Sequence, residues 1–228
     1  MKALVSLSGG MDSTTVLAEA VEKCGLGNVQ AVGFFYGSKH NPYENASARR
    51  IADYYAVPFE LMNISGIMKS FRSNLLEGQG EIPEGHYEQE NMSQTVVPGR
   101  NIIFASILAG LAWSLELDSV WLGVHLGDHA IYEDCRAEFV ESMNRSIQIG
   151  TGNRVHLETP FINTDKAGIV RRGLELDVPY VLTRTCYKAQ SVACGKCGSC
   201  CERREAFMLN NTTDPIEYDS LDPLPVKP

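Results

Sequence analysis

The sequence predicts an α/β domain built around a doubly wound parallel sheet. Three observations favour this fold class: apolar segments typical of strands recur along the chain, helical periodicity lies between them, and the first strand runs into a glycine-containing turn. Strands that alternate with helices form parallel sheets covered on both faces. A chain of 228 residues is long enough for one such domain with a small appendage.

Five apolar segments are the predicted strands. Several are continuously apolar rather than alternating, which is typical of strands buried on both faces. The gaps between them leave room for the crossover helices that parallel pairing requires. In chain order, the segments are KALVSL (2–7), VQAVGFF (29–35), PFELMNI (58–64), DSVWLGV (118–124) and VHLETPF (155–161).

Helices are predicted in the crossovers and after the last strand. The first contains Cys24 on its apolar face, so we interpret Cys24 as a core thiol. Segment 102–115 is apolar nearly all round, which predicts a helix packed on more than one side. Further helices are expected at 45–55, 134–149 and 164–176, the last capped by Thr164 or Asp165.

The predicted organisation is an α/β domain over 1–180, a cysteine-rich segment over 181–210 and an extended, proline-containing tail over 211–228. Residues 65–95 interrupt the strand and helix alternation with a stretch rich in Gly, Glu and Gln. Such a long irregular insertion is usually a substrate loop or a mobile lid. A solvated loop without a role is the alternative.

Charge and hydropathy narrow the class of partner. The formal charge of -8 argues against a strong nonspecific grip on nucleic acid, so a small-molecule substrate is favoured. The first residues, MKALVSLSGG, lack the apolar core of a signal peptide, and we find no run of about 18 apolar residues. We expect a cytoplasmic protein that binds neither nucleic acid nor membrane.

The turn after the first strand, SLSGGMDSTT (6–15), is predicted to bind phosphate. Gly9 and Gly10 let the backbone approach an anion, and the following helix offers N–H groups at its N-terminus. Ser8, Ser13 and Thr14 can add hydroxyl donors. The stretch matches neither a Walker A loop nor a dinucleotide fingerprint. A turn that merely caps a helix is the alternative.

The pattern SGGMDS resembles the PP-loop of the ATP pyrophosphatase superfamily. The resemblance implies a Rossmann-like fold of the HUP type, cleavage of ATP between the α and β phosphates, and transfer of AMP to a substrate oxygen. Asp12 would lie near the bound Mg²⁺ or orient the loop. The ATP-binding residues implied are Leu7, Ser8, Gly9, Gly10, Met11, Asp12, Ser13 and Thr14.

Four of the seven cysteines are spaced as metal ligands. Cys186, Cys194, Cys197 and Cys200 supply the four thiolates of a closed tetrahedral zinc site. An iron–sulfur cluster is the main alternative, since CxxCxxC also serves there. Cys201 would point elsewhere or be a spare ligand.

Further motifs make the resemblance specific. Together with SGGMDS, the stretches FYGSKH (35–40), VPGRN (97–101), GDHAIYEDCR (127–136), ETPFINTDKAGIV (158–170) and TCY…ACGKCGSCCERR (185–204) are similar to the QueC family. The resemblance implies synthesis of 7-cyano-7-deazaguanine from 7-carboxy-7-deazaguanine, ammonia and ATP, through an adenylated acid and an amide, on the route to queuosine and archaeosine. It also implies a homodimer.

The resemblance also implies roles for individual residues. Lys166 would neutralise phosphate charge, and Arg100 would face nucleotide or substrate carboxylate. Asp128, Asp134 and Arg136 would contact the substrate, with an aspartate accepting hydrogen bonds from its guanine-like edge. His129 and Cys135 would assist proton transfer or covalent catalysis. The alternatives are an exposed lysine at 166, an ion pair at 100 and a packing residue at 135.

Three positions depart from the family pattern. Ser38 replaces a common glutamine, Gly99 an alanine or asparagine, and Glu133 a proline. They leave open a variant that stops at the amide or prefers another deazaguanine. A different PP-loop enzyme, such as a tRNA thiolase or an amidotransferase, and a catalytically silent nucleotide-binding module are the remaining alternatives.

Overall fold

The computed structural model describes residues 1–127 and 131–226. Five parallel strands form a sheet in the order β3-β2-β1-β4-β5. Each strand lies within its predicted segment, which confirms the doubly wound parallel sheet. The strands are β1 (Ala3–Ser6), β2 (Val29–Phe35), β3 (Phe59–Asn63), β4 (Ser119–Trp121) and β5 (His156–Glu158).

Helices cover both faces of the sheet. Asp165 is the N-cap of the helix that begins at Lys166, because its Oδ1 accepts a hydrogen bond from Gly168 N at 2.7 Å. The helix predicted from residue 134 begins at Ala137, since extended backbone at Arg136 separates it from a 3-10 turn. The helices are α1 (Met11–Cys24), α2 (Asn41–Tyr54), α3 (Ser65–Met68), α4 (Arg100–Ser114), α5 (Ala137–Gly150), α6 (Lys166–Glu175) and α7 (Gly198–Leu209).

Alternate strand residues point into two apolar cores. Leu4 of β1 packs with α4 and α5 on one face, whereas Val5 packs with α1, α2 and α6 on the other. By length and composition, the segment Glu90–Ser114 would also suit a membrane span. Residues 96–99 interrupt its helices, however, and α4 lies against β1 and β4. We therefore interpret α4 as a core helix.

The insertion at 65–95 packs against two parts of the chain. Lys39 N, in the β2–α2 loop, donates to Leu75 O at 2.9 Å, and Gly85 N donates to Lys196 O in the cysteine-rich segment at 3.1 Å. Tyr87 Oη also donates to Glu205 Oε2 of α7 at 2.8 Å. The insertion is therefore held between the sheet domain and α7.

Candidate active site

A cleft opens at the carboxyl ends of β1 and β4, the neighbouring strands at which the strand order of the sheet reverses. Ligands of open α/β sheets bind at this position because the loops diverge there. The walls come from the β1–α1 turn, the start of α2, the N-terminus of α4, the segment after β4, Lys166 and the cysteine-rich segment. Distant parts of the chain therefore meet at one site.

Gly9 allows the β1–α1 turn to lie directly on α2. Its φ of +85° is in the left-handed region, and a Cβ there would lie 2.4 Å from Glu44 O and 2.6 Å from Ala48 N. Any side chain at this position would clash with α2. Gly10 is the N-cap residue of α1, and no side chain at this position forms a capping hydrogen bond with the helix. The first N–H groups of α1 are thus not capped by a side chain, as an anion site requires.

Hydroxyl groups brace the turn. Ser8 Oγ and Ser13 Oγ lie 3.0 Å apart, and Thr14 Oγ1 donates to Gly10 O at 2.7 Å. Of the eight predicted ATP-binding residues, five line the cleft and three support the turn from behind. Those on the cleft are Ser8, Gly10, Met11, Asp12 and Ser13, and the supporting three are Leu7, Gly9 and Thr14.

Lys166 links the turn to the C-terminal segment. Its Nζ lies 2.7 Å from Asp12 Oδ2 and 3.1 Å from Glu202 Oε2, and the residue is 7% exposed. Lys166 is therefore not an exposed helix lysine. Burial opposes ionisation of Asp12, but Lys166 and His125 outweigh it and hold the pKa of Asp12 below its usual value. A cation beside the turn suits a site for a departing phosphate group.

Arg100 also lines the cleft, as the first residue of α4. Its Nη1 donates to Tyr36 Oη at 3.3 Å, and Tyr36 Oη lies 3.3 Å from His40 Nε2. Within the described chain, no ion pair of Arg100 lies within 4.0 Å. The structure thus does not support an ion pair at the helix start, and Arg100 is available to an anionic ligand.

Of the residues predicted to act in the segment after β4, only some line the cleft. Asp134 Oδ2 accepts a hydrogen bond from Asn101 N at 2.9 Å, so its carboxylate caps α4 from outside the cleft lining. Cys135 is buried on the cleft wall, where its Sγ accepts from Asn101 Nδ2 at 3.2 Å. Arg136 is the N-cap residue of α5 and lies off the cleft wall. Asp128 and His129 lie outside the described residues.

The four predicted metal ligands form one buried cluster. The sulfur atoms of Cys186, Cys194, Cys197 and Cys200 all lie within 4.8 Å of one another. The Sγ atoms of Cys194 and Cys200 are 3.9 Å apart, close to the roughly 3.8 Å that tetrahedral Zn–S bonds of about 2.3 Å require. Backbone N–H groups of Lys196 and Cys197 donate to Cys194 Sγ at 3.4 and 3.3 Å. The donor set therefore fits a tetrahedral metal ion.

Cys201 does not join this cluster. Its Sγ faces Lys196 O at 3.5 Å, although the residue is adjacent to Cys200 in α7. The prediction that Cys201 points elsewhere agrees with this geometry.

The chain is similar in sequence to a family of known proteins. The sequence model for the queuosine biosynthesis protein QueC matches residues 2–211. The chain belongs to the QueC family.

Individual relatives are similar to this chain over nearly their full length. The chain is 44% identical over 218 residues to 7-cyano-7-deazaguanine synthase 2 of Colwellia psychrerythraea, covering 95% of this chain and 98% of that protein. It is also 44% identical to 7-cyano-7-deazaguanine synthase of a Marinomonas species, covering 96% and 99%. Among solved structures, the U34-tRNA thiolase NcsA of Methanococcus maripaludis superposes with a TM-score of 0.48 at 13% identity over 92% of this chain and 65% of that chain.

The positions that depart from the QueC pattern lie beside the cleft rather than on its wall. Ser38 is fully buried and forms a β-bridge with Leu76 of the insertion. Gly99 is the N-cap of α4 with a φ of +64°, a conformation that glycine adopts without strain. Glu133 lies in an exposed 3-10 turn. In this QueC chain, none of the three residues lines the described part of the cleft.

Several residues of the cleft wall were not given a role from the sequence. Five belong to motifs that carried the QueC resemblance, and the i, i+4 spacing of His40 and Glu44 was an available signal of a shared helical face. Arg184 offered no such signal, because only the fold brings its backbone N to Gly9 O at 2.8 Å. The residues are Tyr36, His40, Glu44, Arg184, Tyr187, Ser199 and Glu202.

Proposed function

We propose that this protein converts 7-carboxy-7-deazaguanine, ammonia and ATP into 7-cyano-7-deazaguanine, as a 7-cyano-7-deazaguanine synthase. The observation that carries the proposal is the meeting of the SGGMDS turn and Lys166 in one cleft, in a chain 44% identical to relatives that bear this name. The residues that line the cleft lie between Ser6 and Glu202, and the family model matches residues 2–211. The match therefore covers every segment that contributes to the described cleft.

In the first step, a carboxylate oxygen of the acid attacks the α-phosphorus of ATP and pyrophosphate leaves. Free N–H groups at the start of α1 would hold the departing pyrophosphate, and Lys166 would offset its charge. Arg100 would orient the acid, since a guanidinium binds a carboxylate through two hydrogen bonds. Substrate contacts by Asp128, Asp134 and Arg136 stay as predictions, as do catalytic roles for Asp134 and Cys135.

The second and third steps form the nitrile. Ammonia attacks the acyl adenylate and AMP leaves, which gives the amide. The amide oxygen then attacks a second ATP, and loss of AMP with two N–H protons gives the nitrile. Asp12 would hold the Mg²⁺ that accompanies ATP, because its Oδ1 makes no hydrogen bond to any described residue.

Zinc is the metal that we propose for the four-cysteine cluster, because four buried thiolates with no open position are typical of structural zinc sites. Metal analysis tests this: a brown protein that contains iron and sulfide would contradict it. We further propose a cytoplasmic homodimer that acts on small molecules and binds neither nucleic acid nor membrane.

The test is incubation with Mg-ATP, ammonium and 7-carboxy-7-deazaguanine, followed by mass spectrometry of the products. Nitrile with AMP and pyrophosphate is the expected result, and Lys166→Met protein is the matched control for background hydrolysis. Amide as the final product would indicate a variant that stops half-way. Release of ADP and orthophosphate, or no consumption of the acid, would contradict the proposed reaction.

A further inference from the structure

Formation of the nitrile requires a proton acceptor, a role for which the sequence suggested Cys135 and also His129, which lies outside the described residues. When ammonia adds to the acyl adenylate, the new C–N bond leaves a positively charged nitrogen, which must lose a proton before AMP departs. When the amide oxygen displaces pyrophosphate from the second ATP, both N–H protons must leave as the C–O bond to AMP breaks and the C≡N bond forms. No oxidant or reductant is involved. Arg100 and Lys166 are cations and cannot accept these protons.

Glu44 lines the cleft with its side chain, and its backbone packs on the turn that would hold the phosphates. The backbone of Glu44 packs on Gly9, so close that a Cβ on Gly9 would lie 2.4 Å from Glu44 O. The Glu44 side chain lines the same cleft as Ser8 and Lys166 and is only 13% exposed. Because the acyl carbon is one oxygen away from the α-phosphorus, an acceptor beside the turn lies close to the reacting nitrogen.

A series of polar groups lies next to this carboxyl group. Glu44 Oε2 lies 3.4 Å from His40 Nε2, which lies 3.3 Å from Tyr36 Oη, and Arg100 donates to that same oxygen. The ring of Tyr187 packs on His40 with centroids 5.3 Å apart. The first four of these residues come from the β2–α2 region and α4, and Tyr187 comes from the cysteine-rich segment.

The other carboxylates on the described part of the cleft wall are already committed. Asp12 and Glu202 share the ammonium group of Lys166. In the described chain, no Lys or Arg nitrogen lies within 4.0 Å of the Glu44 carboxyl group. Burial raises the pKa of Glu44 to about 8, against the opposing effects of Arg100 and Arg184. Burial, with the same two arginines, lowers the pKa of His40 to about 3, which leaves His40 too weak a base.

We propose that Glu44 is the catalytic acceptor of the N–H protons released in amide and nitrile formation, and that His40 and Tyr36 are residues that position its carboxyl group. The proposal rests on the proposed function, because it presumes nitrogen chemistry in this cleft. A group that ionises near the working pH suits an acceptor that must take up and release a proton in each step.

The test compares Glu44→Gln with wild type in the separate steps. Glutamine keeps the size of the side chain and removes the base. We expect acid-dependent exchange of labelled pyrophosphate into ATP to persist within about threefold, whereas conversion of supplied amide to nitrile falls about 10²–10⁴-fold in kcat. Glu60→Gln, at an exposed position of β3, is the matched control and should behave as wild type. Thermal unfolding checks that both variants fold.

Two outcomes of this comparison would overturn the proposal. Glu44→Gln protein that forms nitrile within tenfold of wild type would show that Glu44 is not the acceptor. A higher KM for the amide with unchanged kcat, or a loss of pyrophosphate exchange in parallel with nitrile formation, would assign Glu44 to binding instead.

A pH profile of the wild-type protein decides the matter even if Glu44→Gln does not fold. Supplied amide is the substrate here, so that ionisation of ammonium plays no part. The acceptor must be deprotonated, and we therefore expect kcat to rise with pH through about 8 and then level off. A flat profile between about pH 6.5 and 9.5 would overturn the proposal. Wild-type protein that makes no nitrile at any pH would refute the proposed function instead.

Discussion

The PP-loop and the cysteine-rich segment each deliver a carboxylate to Lys166, but by different physical means. Asp12 is placed by a single turn, whose glycines and hydroxyls form short-range hydrogen bonds between β1 and α1. Glu202 is placed by α7, which begins inside the cluster of four thiols and whose buried Arg203 pairs with Asp214 of the C-terminal tail. One half of this arrangement is therefore local, and the other depends on the four-thiol cluster and on contacts distant in sequence.

Metal removal should have the largest effect on activity and stability, because it acts on the cysteine cluster from which α7 and Glu202 are placed. Structural zinc contributes about 10–16 kcal/mol to the folding of small zinc peptides, and four thiolates without a metal would repel one another. We expect a chelator to abolish formation of AMP and to lower the unfolding temperature, as α7 carries Ser199 and Glu202 away from the cleft. Activity measured against bound zinc checks this, with recovery on adding zinc back.

The control for metal removal is Cys201→Ser, which alters a thiol next to the cluster but outside it. This variant should keep its metal and its turnover. Metal-free protein that still turned over at the wild-type rate would break the comparison, since Glu202 would then be placed by α7 packing alone.

Replacement of Lys166 by methionine should have the next largest effect. Asp12 and Glu202 would face each other without the intervening cation, and the departing pyrophosphate would lose its counter-charge. We expect AMP formation to fall about 10²–10³-fold, as for loss of one group that stabilises charge in a transition state. Steady-state kinetics measure this, with exposed Lys69→Met as the matched control. A fall of less than about threefold would mean that the two carboxylates, not the lysine, are the functional part.

The local half of the site could be predicted from the sequence, and the other half only in part. The five strands and the glycine turn follow from apolar runs and from the few residues beside them, because parallel strands buried on both faces read as continuous apolar segments. The metal ligands were equally accessible, since three of the four lie within seven residues, 194–200. Spacing alone could not predict α7, because its helix begins within that ligand run.

Contacts between distant segments were beyond sequence reasoning. Glu202 lies 36 positions from Lys166, and only the packing of α6 against α7 brings them together. Arg184 reaches the cleft through a backbone hydrogen bond to Gly9. For Asp134 the sequence predicted a contact that the structure does not show. Its position after β4 suggested a contact with a ligand, whereas its Oδ2 accepts a hydrogen bond from the backbone N of Asn101. A single sequence gives the residue type at such positions but not the partner.

Asp134→Ala extends the comparison of Asp12 with Glu202 to a third carboxylate. The Asp134 carboxylate accepts a hydrogen bond from the backbone N of Asn101, in a neighbouring segment. Loss of this cap on α4 should lower the free energy of unfolding by about 1 kcal/mol. For a chain of this size, that corresponds to about 2–4 °C in the unfolding temperature. We expect kcat to change little. An unchanged unfolding temperature with a kcat about 100-fold lower would instead assign Asp134 to the reaction, as the family resemblance implied.

Cys135→Ser should have the smallest effect. The thiol belongs to the apolar core between α4 and α5 and accepts one hydrogen bond from Asn101 Nδ2, which a serine hydroxyl also accepts. We therefore expect a loss of about 1 kcal/mol in stability and turnover within about threefold of wild type. Single-turnover measurement of nitrile formation provides the check. A nucleophile would behave differently: removal of Cys135 would stop the reaction after adenylation, and pyrophosphate exchange would continue while amide and nitrile were no longer formed.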